Sequence, residues 1–95
     1  MRRTHRFHLD RADHSITVNV RSGRTAEAEL LVDGKEVDRR RLHHRGTSTL
    51  RAELPEEPAV PIEILVRRPR AGSHQVSCVL VFEGTAEALP ERREL

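Results

Sequence analysis

The stretch Ala26-Glu27-Ala28-Glu29-Leu30-Leu31-Val32-Asp33-Gly34-Lys35-Glu36-Val37 decides the fold. Ala26, Ala28, Leu30 and Val32 fall on one side of an extended chain, with Glu27, Glu29 and Leu31 on the other. Alternation with a period of two marks a half-buried strand. Asp33-Gly34 then supplies residues that tolerate positive φ at both central positions of a type I′ turn, the strongest hairpin signal in the chain. A two-residue turn there sets a register in which Leu30 faces Val37, Glu27 faces Arg40 and Glu29 faces Asp38, the last a like-charge pair. Val37 and Leu42 cannot both point inward on a regular strand, which places a bulge or a strand end within Asp38 to Arg41.

The same alternation extends outward from this hairpin. Upstream, Ile16, Val18 and Val20 alternate with Ser15, Thr17, Asn19 and Arg21, and Phe7 and Leu9 carry the pattern toward the N-terminus. Downstream, Leu50, Ala52 and Leu54 form a run that Pro55-Glu56-Glu57-Pro58 ends, and Val60, Ile62, Ile64 and Val66 form the next. Pro61 stands near the start of that run, where a missing N–H is tolerated. The last run, Gln75 to Glu83, carries Val76, Cys78, Leu80 and Phe82 on one face and Val79 and Val81 on the other. Two apolar faces mark a central strand, or one whose outer face is covered by the termini or a partner.

Seven such runs, closely spaced, leave no gap for a crossover helix. The expected fold is therefore all-β, an antiparallel β-sandwich of about seven short strands, with a small barrel as the alternative. Residues 1–84 are expected to make that domain and 85–95 a frayed C-terminal tail, with a helical turn over Ala86 to Leu89 before Pro90. A chain of 95 residues has room for one core, and with Phe7 and Phe82 its only aromatic residues that core must be aliphatic. The single cysteine, Cys78, excludes an intramolecular disulfide and reads as a core residue. Every apolar run is far shorter than the roughly 20 residues that span a bilayer. A cytoplasmic location with no membrane partner is expected.

From His14 to Leu89 the order of features is similar to one sandwich module of the Fas apoptotic inhibitory molecule family. The likeness lies in a His-x-Ile-x-Val strand beginning at His14, a glycine-containing turn, and a strand running into Val32-Asp33-Gly34-Lys35-Glu36. A polar arm and three further strands follow. The resemblance implies a non-catalytic sandwich that acts through protein contacts, and it transfers no site residues.

Catalytic chemistry finds no foothold in the sequence, which has no Gly-x-Ser-x-Gly elbow, P-loop or dinucleotide glycine pattern. No enzyme activity, catalytic residue or cofactor is expected. The six histidines, His5, His8, His14, His43, His44 and His74, lack metal-ligand spacing, since His5 and His8, or His43 and His44, point to opposite faces of an extended chain. Two surfaces remain. Arg39, Arg40, Arg41 and Arg45 would join Arg67, Arg68 and Arg70 in a polyanion patch if their loops share one end of the sandwich. Leu31, Leu65, Val79 and Val81 would make a partner face if they gather on one outer surface. The expected function is a protein-interaction or accessory module with an unidentified protein partner or a homodimer, and the alternative is binding of nucleic acid or another polyanion.

Overall fold

An alternating run buries its apolar face only by pairing with neighbours, and each run does so. The computed structural model describes residues 3–23, 25–43, 45–68 and 75–92. Its strands are β1 (Arg3–Arg11), β2 (His14–Ser22), β3 (Glu27–Val32), β4 (Lys35–Arg41), β5 (Gly46–Leu54), β6 (Val60–Arg68), β7 (Ser77–Phe82), β8 (Thr85–Ala88) and β9 (Glu91–Arg92). Two open antiparallel sheets result, one ordered β4-β3-β2-β1-β9 and the other β5-β6-β7-β8. They pack face to face, so the antiparallel sandwich expected from the sequence is the fold observed. Among the described residues no helix is long and apolar enough to cross a membrane.

The core is built from cross-strand rows. Phe7, Val18 and Leu30 form one across the first sheet, and Leu50, Ile64 and Leu80 another across the second. All six side chains are at most 3% exposed. Burying an aliphatic side chain of this size contributes about 1.5–3 kcal/mol, which is how an almost ring-free core holds the sheets together. Cys78 belongs to the same core, and burial pushes its thiol up to about 12.

Three hairpins close on two-residue turns with positive φ at both positions: Ala12-Asp13 (53° and 64°), Asp33-Gly34 (52° and 84°) and Glu83-Gly84 (49° and 79°). This is the type I′ conformation, whose twist matches that of the flanking strands. Only the first lacks a glycine, and Ala12 there adopts a backbone that L-residues enter at a cost of roughly 1–2 kcal/mol.

Two expectations are corrected. In the β3–β4 hairpin, Leu31 opposes Glu36 and Leu30 opposes Asp38, so Val37 is the extra residue of a bulge that lies one residue before the expected interval. Val37 therefore does not face Leu30, and Glu27 and Glu29 oppose Arg41 and Arg39 rather than Arg40 and Asp38. The shift exchanges a repulsive cross-strand pair for attractive ones and leaves Val37 45% exposed.

The second correction concerns the tail. No helical turn forms over Ala86 to Leu89, because Thr85–Ala88 pairs with β7 as β8. Four residues cannot meet the cost of helix nucleation, whereas an open sheet edge offers them ready backbone partners. Beyond it the chain crosses between the sheets. The Leu89 N–H donates to the Cys78 carbonyl at 2.9 Å, and the His8 N–H donates to the Pro90 carbonyl at 3.2 Å. Leu89 is buried at this seam, and β9 then extends the first sheet beside β1. These two added strands make nine among the described residues where about seven were expected.

Candidate functional site

Antiparallel meanders send alternate connections to opposite ends of the sandwich. The turns at Ala12-Asp13, Asp33-Gly34 and Glu83-Gly84 and the loop after Leu54 share one end, which carries Asp13, Asp33, Glu56, Glu57 and Glu83. The start of β1, the end of β2, the β4–β5 connection and the end of β6 share the other. That end carries Arg3, Arg21, Arg40, Arg41, Arg45, Arg67 and Arg68, with Glu27 as the carboxylate among the described residues of these strand ends. The molecule is thus charged oppositely at its two ends. Sequence reading missed Arg3 and Arg21 because they are far from the other arginines along the chain, and only the topology aligns those strand ends.

Within the expected patch the arginines have different fates. Arg39 points from the outer face of the first sheet and is held by three carboxylates: Glu36 at 2.6 Å, Glu27 at 2.9 Å and Glu29 at 3.0 Å. Glu36 and the other carboxylates raise its pKa further above its ordinary value, and it is committed to the sheet. Arg40 shares the opposite side of β4 with Asp38, 3.8 Å away. Asp38 in turn accepts the Arg51 N–H of β5 at 2.8 Å, which stitches the sheets together on this side. Arg68 is half-buried and donates to the His43 carbonyl at 3.2 Å. Arg41, Arg45 and Arg67 are exposed, with no carboxylate at ion-pair distance among the described residues. Arg70 lies outside the described residues, as do His44 and His74. The basic strand ends share one end of the sandwich, with Arg41 and Arg67 on the outer faces of opposite sheets, and Arg39 is not part of what they present.

Neither phenylalanine accompanies the arginines, although the exposed His43 stands between Arg41 and Arg45 in the chain. Phe7 is buried, and Phe82 lies toward the acidic end, with the Arg11 guanidinium 5.3 Å from its ring centre.

The expected partner face divides. Leu65, Val79 and Val81 occupy neighbouring positions on the outer face of the second sheet, where Leu65 opposes Val79, and β8 adds Ala88 beside Val79 and Ala86 beside Val81. Leu31 lies on the outer face of the first sheet, paired with Thr17, and does not join them. The valines that suggested a central strand are therefore on one: β7 runs between β6 and β8 with its outer side half-buried. A groove of about 780 Å³ lies at the acidic margin of this face, lined among others by Val37, Arg51, Pro61 and Val81.

The rings of His5, His8 and His14 are tied into local networks. His5 Nδ1 lies 2.9 Å from Glu91, and His8 Nδ1 lies 2.9 Å from the Thr17 hydroxyl. His14 bridges three connections at the acidic end, with Nδ1 2.7 Å from Asp33 and Nε2 3.4 Å from Glu56. The Asp33 hydrogen bond, more than any other contact, raises its pKa from the ordinary 6.5. Asp33 also accepts the Ser15 N–H at 3.0 Å, and that bond does most to lower its pKa.

No family model, curated protein or solved structure matches this chain.

Proposed function

We propose that the protein is a non-catalytic binding domain whose basic end takes a phosphate-rich polyanion, with a nucleic-acid duplex as the form it fits best. The observation that carries this reading is the placement of Arg40, Arg41, Arg45, Arg67 and Arg68 at strand ends on one end of the sandwich, three of them without an ion-pair partner among the described residues. With β4 in one sheet and β5 and β6 in the other, about 10 Å away, these strand ends span roughly 10–15 Å, enough to meet several phosphates. Guanidinium forks suit phosphate oxygens. With neither phenylalanine beside them, they favour the duplex backbone, whose phosphates carry no sequence information.

The test is titration of a mixed-sequence DNA duplex over a range of salt concentrations. Affinity falls steeply with salt, and Arg41→Ala and Arg45→Ala each lower the slope of log affinity against log salt by about one. Arg39→Ala leaves binding unchanged, because that guanidinium is already occupied by carboxylates. Salt-independent binding, or equal losses from Arg39→Ala and Arg41→Ala, would refute the proposal.

A second reading, protein contact, is favoured by the clustering of Leu65, Val79 and Val81 on one face. The similarity to a Fas apoptotic inhibitory molecule module points the same way. Either role suits the cytoplasm, where a lone buried thiol such as Cys78 stays reduced.

A further inference from the structure

We infer that a second copy of this chain covers the outer face of the four-stranded sheet, related by a two-fold axis lying in that face and running across its strands. The inference rests on the protein-contact reading of the face, and it shares Arg67 with the basic end, so a polyanion held there competes with the second copy for that side chain. Strand register sorts the face into rows. Thr47, Arg67 and Ser77 form the first, Thr49, Leu65, Val79 and Ala88 the second, Arg51, Glu63, Val81 and Ala86 the third, and Glu53 and Pro61 the last. The middle rows hold the apolar side chains. The margins carry opposite charges, Arg67 at one and Glu53 at the other, with Glu83 in the adjoining turn. None of these three has an ion-pair partner among the described residues.

This pattern is self-complementary under one operation. A two-fold axis across the strands reverses their direction, lays Val79 and Ala88 of each copy on Val81 and Ala86 of the other, sets Leu65 beside the Arg51–Glu63 pair, and lays Arg67 against the Glu53 and Glu83 margin, twice by symmetry. A two-fold axis along the strands would instead lay Arg67 beside Arg67 and Glu53 beside Glu53, which like-charge repulsion opposes. The ends of the sandwich select the same operation, since it sets the basic end of each copy beside the acidic end of its partner. The charges inside the apolar rows need nothing from the second copy, because Arg51 and Glu63 close on each other at 3.0 Å.

Sedimentation equilibrium from micromolar to millimolar protein tests the inference. A reversible dimer is expected, and Val81→Lys weakens it by about tenfold or more, as a charge at the centre of an apolar contact does, while the amide spectrum stays folded. Arg67→Glu and Glu53→Arg each weaken the dimer several-fold, and the two changes combined in one chain restore it. A dimer that tightens with Arg67→Glu overturns the orientation, and one indifferent to Val81→Lys overturns the face. A chain that stays monomeric overturns the second copy. If that monomer binds an apolar dye, and Val81→Lys abolishes the binding, the protein-contact reading survives alone; without dye binding both fall.

Discussion

Deleting Val37 should leave the sandwich nearly as stable as before, although the residue lies inside a strand. Val37 is the one residue between Glu36 and Asp38, which already oppose the consecutive positions Leu31 and Leu30. Without it β4 runs regularly through the same partners, and Arg39 keeps its place opposite Glu29. The terms can be compared. With Val37 45% exposed, about half of the 1.5–3 kcal/mol of full burial is lost, or roughly 1 kcal/mol. Against this, the chain no longer orders one backbone residue, which returns about 1–2 kcal/mol. The expected net change is within about 1 kcal/mol of zero, against the 2–5 kcal/mol typical of truncating a buried leucine such as Leu30 to alanine. Urea unfolding of the two variants gives the comparison, and cross-strand NOEs between Leu30 and Asp38 verify the register. A loss above about 3 kcal/mol on deleting Val37, or NOEs placing Asp38 opposite Glu29, would refute the account of the bulge.

Two further outcomes follow from the ionisable groups. The raised pKa of His14 stabilises the fold fully below its ordinary value of 6.5, and the contribution is lost as pH rises through the folded value; the lowered pKa of Asp33 contributes above 3.8 and is lost as pH falls through its own folded value. His14→Gln should therefore flatten the decline of Tm on the alkaline side of 6.5, and an unchanged decline would show that the Asp33 and Glu56 contacts carry no linkage. Cys78, with its thiol pushed up to about 12 by burial, should react with a thiol reagent at mildly alkaline pH only as fast as the protein unfolds; modification of the native protein at a rate indifferent to urea would contradict that placement.

What the sequence disclosed depended on whether one local rule sufficed. Ile16, Val18 and Val20 are inward and Asp33-Gly34 turns as read, because alternation and positive φ are properties of adjacent residues. Ala12-Asp13 makes the same turn without a glycine, held by the pairing of Arg11 with His14 and Leu9 with Ile16 on either side, and no neighbour signals it. Thr85–Ala88 failed differently, since a four-residue segment takes whatever partner the fold leaves open, here the edge of β7. The candidate site follows the same division. That Arg41 faces away from Arg40 was legible from strand parity. The capture of Arg39 was not, because it depends on a bulge that aligns it with carboxylates on β3. Val37 thus links the two levels: one unpaired residue turns a repulsive register into an attractive one, removes Arg39 from the basic surface, and leaves Arg41, Arg45 and Arg67 to define the site.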